Sequence, residues 1–304
     1  MILRRLATAV LLIGALGACG ESGAEPGASE TPTGSATTPD SSEAQPESDY
    51  PAYVALGDSY TSAPFVPETD GQDGCLRSSG NYPSLVAAEL GSDLEDVSCA
   101  GAQTVSLVGV QQTFDGSSRP AQFDALSEDT DLVTIGIGGN DFGLFSKLTA
   151  GCVGAAAQEP EGTPCTDAAT GSVTRDLEEM KGRVTAALQG VVDRAPQARV
   201  LLVGYPQIVP ETGSCPDLLP IAEGDLPFAR SVNRGLSDAL ENAAKAADVE
   251  YVDAFALTRG HDICADDPWI NGQQNDPERA LAYHPFAAEQ QAVADEIARL
   301  LQRS

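Results

Sequence analysis

A Gly57-Asp58-Ser59 tripeptide directly follows a short apolar run, Ala52–Leu56. The run predicts a buried strand, and parallel sheets bind ligands at the carboxyl ends of their strands. Ser59 would then begin a helical turn, where the helix dipole favours negative charge and a nucleophilic hydroxyl is useful. The same tripeptide is also typical of a plain turn that caps a helix, so alone it does not establish catalysis.

Three further short blocks could bring chemistry to the same edge of a sheet, because each falls at a strand end or in a loop that can reach that edge. They are Cys99-Ala100-Gly101-Ala102, Gly138-Gly139-Asn140-Asp141 and His284-Pro285. Each block alone has a structural explanation, since Gly101 can permit a turn, Asn140 can cap a helix and His284 can begin one. All four blocks together favour catalysis over these separate explanations.

The elements that must position these residues alternate between strands and helices along the chain. Apolar runs predict five strands, at Ala52–Leu56, Asp96–Cys99 (weakly), Asp131–Ile137, Arg199–Val203 and Val249–Val252. Helical periodicity and stop signals predict four helices, at Pro83–Leu90, Ser172–Arg194, Phe228–Ala247 and Pro285–Leu301. This order predicts an α/β fold, a three-layer α/β/α sandwich around a mostly parallel five-stranded sheet.

The four blocks resemble those of the SGNH hydrolases, also called GDSL esterases and lipases, and occur in that family's order. The resemblance implies a flavodoxin-like sheet, a serine nucleophile at Ser59 and a general base at His284. It also implies an oxyanion hole formed by Ser59, Gly101 and Asn140. His261, beside Cys264, is a competing candidate for the base.

One position departs from the family pattern. The family usually places Asp three residues before the catalytic His, whereas this chain has Leu281 before His284. The nearest upstream acids are Asp276 and Glu278. A backbone carbonyl can fix the histidine tautomer through Nδ1–H. We therefore expect a Ser-His dyad oriented by a carbonyl near Leu281, that of Leu281 itself being suspected.

The resemblance implies an extracytoplasmic esterase or lipase that hydrolyses acyl esters through an acyl-enzyme. Two alternatives remain open: a carbohydrate O-deacetylase on the same fold, and a non-catalytic lipoprotein that binds lipid or glycan. The hydrophobic residues near the blocks could line an acyl pocket or be ordinary core residues; they are Phe65, Phe142, Leu144 and Phe145.

The first 49 residues predict export and membrane attachment. Arg4 and Arg5 precede the uncharged run 6–18, which is too short for an ordinary membrane span and typical of a signal peptide. The run ends at Cys19 in a sequence that resembles a bacterial lipobox, which implies cleavage before Cys19 and a lipid on its sulfur. Residues 20–49 hold seven acidic residues and no basic or aromatic ones. We therefore expect a signal peptide at 1–18, a disordered acidic linker at 19–49 and a hydrolase domain at 50–304.

Six cysteines remain beyond Cys19: Cys75, Cys99, Cys152, Cys165, Cys215 and Cys264. An even number in an exported chain predicts three disulfides, but six cysteines allow 15 connectivities and spacing does not choose among them. The family resemblance implies sequential pairing: Cys75–Cys99, Cys152–Cys165 and Cys215–Cys264. Metal-ligand spacing is missing, because no C-x-x-C pair occurs and the chain has only two histidines.

The charge balance narrows the possible partners. With 17 Lys and Arg against 45 Asp and Glu, the net charge is −28, which repels phosphate backbones and makes nucleic-acid binding a poor hypothesis. We expect no cofactor, a small-molecule or lipid ester as substrate, and a monomer attached to the outer face of a membrane. We also expect part of the protein to be released to the extracellular space.

Overall fold

The computed structural model describes residues 48–72 and 74–303. The predicted signal peptide, Cys19 and nearly all of the predicted linker lie outside the described residues. Residues Gln45–Ser304 form one compact unit. No helix among the described residues is long and apolar enough to cross a membrane.

Five parallel strands form the central sheet. In chain order, the strands among the described residues are β1 (Ala52–Gly57), β2 (Asp93–Asp96), β3 (Gln111–Gln112), β4 (Ser118–Arg119), β5 (Leu132–Gly136), β6 (Arg199–Val203) and β7 (Glu250–Val252). The order across the central sheet is β2-β1-β5-β6-β7. The short β3 and β4 pair with each other, antiparallel and apart from this sheet. The predicted five-stranded α/β architecture is confirmed, and the central sheet is wholly parallel.

The helices cover both faces of the sheet. They are α1 (Ser59–Ser62), α2 (Tyr82–Leu90), α3 (Leu144–Ser146), α4 (Cys152–Ala156), α5 (Pro164–Arg194), α6 (Leu226–Ala247), α7 (Ala254–Leu257) and α8 (Ala287–Leu301). Helices α5 and α6 contribute to one hydrophobic cluster, and α2 and α8 contribute to the other. Alternation along β1 explains the two layers, since Val54 and Leu56 enter the first cluster and Tyr53 and Ala55 the second.

The position predicted for the second strand is wrong. Asp96–Cys99 was predicted, but β2 spans Asp93–Asp96, and Val97–Cys99 leads away from the sheet as a loop. The strand is hard to detect because it lies at the edge of the sheet and reads Asp-Leu-Glu-Asp, without an apolar run. The observed register brings Asp96 beside Ala55 of β1. The chain then reaches the Cys99–Ala102 block at the carboxyl end of the sheet.

Three disulfides occur among the described residues, and they pair Cys75 with Cys99, Cys152 with Cys165 and Cys215 with Cys264. This is the sequential pairing that the family resemblance implies. The first ties the loop before α2 to the block that contains Gly101. Disulfides are typical of proteins that fold in oxidising compartments, which indicates an exported protein.

Candidate active site

Ser59 begins α1 immediately after β1. Its neighbour Asp58 caps this short helix, because the Asp58 side chain accepts a hydrogen bond from Tyr60 N at 2.9 Å. Gly57 is required by space, since a Cβ there would lie 2.2 Å from Thr61 Oγ1 and 2.8 Å from the Gly136 carbonyl oxygen. The tight turn holds the Ser59 side chain at the carboxyl edge of the sheet.

His284 contacts Ser59 directly. The distance from His284 Nε2 to Ser59 Oγ is 2.8 Å, and His284 Nδ1 lies 2.7 Å from the Ala282 carbonyl oxygen. A carbonyl can only accept a hydrogen bond, so Nδ1 carries the proton and Nε2 is free to accept one from the serine hydroxyl. This is the geometry that a serine nucleophile and its general base require.

The carbonyl suspected in the sequence was the wrong one. The Leu281 carbonyl oxygen is occupied by the backbone N–H of His284 at 3.1 Å and by Asn271 Nδ2 at 3.1 Å. These bonds close the turn before the histidine, so the next carbonyl, that of Ala282, faces the imidazole. Tyr283 has a φ of 62° between them, and its own carbonyl accepts the Tyr60 hydroxyl at 2.7 Å.

Aromatic rings enclose the His284 imidazole. Tyr60 stacks on it with ring centroids 4.8 Å apart, and Phe145 meets it edge-on at 5.6 Å. Burial lowers the pKa of His284 from 6.5 to about 4, although the hydrogen bond to Ala282 acts in the opposite direction. The imidazole is therefore neutral, and able to accept a proton, throughout the neutral pH range.

Gly101 and Asn140 belong to the two remaining blocks. Gly101 has a φ of 80°, which favours glycine. Among the described residues, the backbone N–H groups of Ser59 and Gly101 have no hydrogen-bond acceptor. The Asn140 amide donates from Nδ2 to the Ala102 carbonyl oxygen at 3.0 Å, with Asp58 Oδ2 at 3.4 Å from the same nitrogen. The structure thus brings all four predicted blocks together.

Two carboxylates that the sequence analysis did not single out connect these blocks. Asp58 Oδ2 accepts the Tyr205 hydroxyl at 2.5 Å, and the same hydroxyl oxygen accepts Gly139 N–H at 2.8 Å. Burial raises the pKa of Asp58 to about 7, and the hydrogen bond from Tyr205 opposes that rise. Asp141 accepts both the backbone N–H of Thr104 at 2.9 Å and its hydroxyl at 2.5 Å. Asp58 lies inside the first block and Asp141 inside the third, and this position within the blocks is the sequence signal that could have identified them.

The remaining candidates are dispersed. His261 stacks on Trp269 with centroids 3.9 Å apart, and its Nδ1 lies 2.8 Å from the Asp267 carbonyl oxygen, so it is engaged away from Ser59. Leu144 is buried in the core, as one of the two interpretations expected. Phe142 lies under the Arg183 guanidinium, 4.2 Å from the ring centroid.

Phe65 lines a cavity of about 500 Å³ together with Pro67, Leu76, Pro277 and Glu278, among others. The loop that carries Phe65 borders the histidine loop, because Leu281 N–H donates to the Pro64 carbonyl oxygen at 3.1 Å. No cluster of His, Cys, Asp or Glu that could hold a metal ion occurs in the part of the chain that the structure describes.

Comparison with known proteins identifies the family. Residues 55–292 match the model of the GDSL-like lipase/acylhydrolase family. The chain is 41% identical over 217 residues to Lipase 2 of Streptomyces coelicolor, which covers 70% of this chain and 72% of that relative. An esterase of Streptomyces scabiei is 29% identical over 322 residues, covering 92% of this chain and 87% of the relative.

A solved structure agrees with these relatives. The crystal structure of phospholipase A1 from Streptomyces albidoflavus NA297 is similar, with a TM-score of 0.68 and 28% sequence identity. The similarity covers 84% of this chain and 100% of that one. The chain therefore belongs to the GDSL-like lipase/acylhydrolase family and is a carboxylic ester hydrolase.

Proposed function

We propose that Ser59 and His284 form a catalytic dyad that hydrolyses acyl esters through an acyl-enzyme. The observation that carries this proposal is the 2.8 Å contact between Ser59 Oγ and His284 Nε2, with Nδ1 held by Ala282. Ser59 Oγ attacks the ester carbonyl carbon while Nε2 accepts the hydroxyl proton. The C–O bond to the alcohol then breaks, and Nε2–H returns the proton to the departing oxygen.

Water completes the cycle. His284 Nε2 accepts a proton from a water molecule whose oxygen attacks the acyl carbon. The bond to Ser59 Oγ then breaks, the serine regains its proton, and the carboxylic acid leaves. In both tetrahedral states, the N–H groups of Ser59 and Gly101 and the Asn140 amide donate to the oxyanion. For the amide to do so, Asn140 Nδ2 exchanges its long 3.4 Å contact with Asp58 for the substrate oxygen.

Lipid esters are the substrate class we propose. The names of the relatives, lipase and phospholipase A1, support acyl esters of lipids more than sugar acetates. The cavity beside Phe65 offers room for part of an acyl chain. A panel of nitrophenyl esters from acetyl to palmitoyl, assayed with wild-type protein and Ser59→Ala, tests both parts. We expect Ser59→Ala to abolish hydrolysis while the fold is retained. Activity confined to acetyl esters would favour the deacetylase alternative.

We also propose that a lipid on Cys19 attaches the mature protein to the outer face of a membrane. The support is the basic start, the short apolar run and the acidic segment that follows Cys19. The Cys19→Ser variant should release the domain or accumulate as an unprocessed precursor. Mature Cys19→Ser protein that still partitions into detergent would contradict the anchor.

A further inference from the structure

An uncharged segment with exposed apolar side chains borders the oxyanion side of the site. Six large hydrophobic residues are exposed in the part of the chain that the structure describes, and four of them lie between positions 105 and 114. They are Val105 (55% exposed), Val108 (67%), Val110 (68%) and Phe114 (75%). We call these four residues the apolar patch. Scattered apolar residues are normal on a protein surface, but such a concentration indicates an interaction site.

The apolar patch is held against the reaction centre. A Cβ atom on Gly101 would lie 3.3 Å from the Phe114 ring, so this ring lies directly beside the oxyanion-hole glycine. Gln111 Nε2 donates to the Ala100 carbonyl oxygen at 3.0 Å, which ties the middle of the segment to the same turn. Directly before Val105, the backbone N–H of Thr104 donates to the Asp141 carboxylate, which ties the start of the patch to the Gly138–Asp141 block. The exposed side chains of the apolar patch are therefore carried by a part of the chain that hydrogen bonds hold in place.

The charge pattern around the patch favours a phospholipid surface. No Asp, Glu, Lys or Arg occurs from Val97 to Phe114, although the exposed Asp115 follows directly and the chain as a whole carries a net charge of −28. Val105 and Val108 also line a groove of about 420 Å³, and two exposed arginines, Arg183 and Arg194, lie on its walls. Arg183 pairs with Asp141 through one nitrogen at 3.3 Å, and Arg194 donates to the Gly190 carbonyl oxygen at 2.9 Å. Each exposed guanidinium keeps further N–H donors for a phosphate, so apolar side chains that enter a lipid layer beside these groups match a bilayer.

We propose that the apolar patch docks on a zwitterionic phospholipid surface and thereby brings lipid esters to Ser59. This inference rests on the proposed function and adds the physical form in which the substrate is met. A second copy of the chain is a poorer occupant. Four side chains cannot supply the roughly 800 Å² per partner that a standard protein interface buries.

Vesicle binding without turnover tests the proposal. The probe is sedimentation with phosphatidylcholine vesicles, and the protein is the chain from Gly20 to Ser304 carrying Ser59→Ala. This chain lacks the predicted signal peptide and Cys19 but retains the compact unit Gln45–Ser304. We expect Val108→Asp combined with Val110→Asp to reduce the vesicle partition coefficient at least about tenfold. Val192→Asp is the matched control, because Val192 is 40% exposed on α5 and does not line the groove; its binding should stay within about twofold.

Hydrolysis of dissolved nitrophenyl acetate by the same variants with Ser59 intact reports folding and catalysis separately. We expect activities within about twofold of wild type, because the two valines do not contact the dyad. The proposal is overturned if the parent chain does not bind vesicles, if the patch and control variants bind equally, or if the patch variant instead dissociates a dimer. It is also overturned if a folded patch variant loses nitrophenyl acetate hydrolysis. Retained hydrolysis in Ser59→Ala would refute the proposed function instead, since vesicle binding needs no turnover.

Discussion

The acid limit of activity should lie far below that of an ordinary histidine. His284 is buried between Tyr60 and Phe145, and among the described residues the only hydrogen-bond partners of its imidazole are Ser59 Oγ and the Ala282 carbonyl oxygen. No carboxylate accompanies it to stabilise the imidazolium, so burial dominates and lowers the pKa to about 4. Because the base acts in its neutral form, activity should be lost only as the pH falls through about 4.

The size of this effect follows from the two pKa values. At pH 5.5, a histidine with a pKa of about 4 is about 97% neutral, whereas one with the ordinary value of 6.5 is about 9% neutral. The structure therefore predicts that kcat/KM at pH 5.5 stays close to its neutral plateau. An ordinary histidine would lower kcat/KM to about a tenth of that plateau.

The assay is kcat/KM for a short-chain nitrophenyl ester between pH 3.5 and 8, read at a pH-independent wavelength. Asp58 needs a control, because its pKa of about 7 lies in the same range and it contacts Asn140. Asp58→Asn removes that titration, and the limb near pH 4 should persist in this variant. A limb at pH 6 to 7 that survives Asp58→Asn would refute the argument that burial without a carboxylate governs His284.

Three further outcomes are expected. Asp276→Asn and Glu278→Gln should each lower kcat by about tenfold or less, because neither carboxylate contacts His284. His284→Ala should approach complete loss of activity. A loss of about 10³ in the kcat of either acid variant would contradict this expectation. Asn140→Ala should lower kcat by about 10² to 10³ with its melting temperature retained, because one oxyanion donor is removed, and a loss under about fivefold would exclude Asn140 from that role. Burial raises the pKa of Glu289 from 4.5 to about 8. Between these two pH values the native state holds a proton on Glu289 that the unfolded state has released, so the free energy of unfolding falls as the pH rises. In urea titrations, Glu289→Gln should therefore gain stability over wild type between pH 5 and 8, by at most about 1.4 kcal/mol per pH unit, and a constant difference would contradict the buried titration.

The sequence predicted the elements whose pattern is local. β6 is predicted at its observed bounds, Arg199–Val203, because four apolar residues in a row follow Arg199. The long helix was predicted from Ser172 but begins at Pro164. Its first turns carry no strong apolar stripe and are held by long-range bonds, such as the Asp225 carboxylate accepting Cys165 N–H at 2.9 Å. Hydrophobic periodicity along the sequence cannot predict long-range contacts of that kind.

The residues of the candidate site also differ in how well the sequence predicts them. Ser59 and His284 stand in recognisable blocks, although 225 positions separate them, and the fold places their side chains within hydrogen-bond distance. The groups that orient them were less predictable. Which carbonyl meets Nδ1 depends on a turn closed by Asn271, and the Asp58 network depends on Tyr205, which follows β6 and carries no motif of its own. Such partners are selected by three-dimensional proximity and not by spacing in the chain.

The central claim, that Ser59 is the nucleophile activated by His284, is tested most directly by covalent labelling. The wild-type protein is treated with a fluorophosphonate, and its intact mass and modified peptide are measured beside Ser59→Ala and His284→Ala. We expect one adduct per chain, located on Ser59; it should be absent from Ser59→Ala, and its formation should be strongly slowed in His284→Ala. An adduct on another serine, or unchanged labelling of Ser59→Ala, would contradict it.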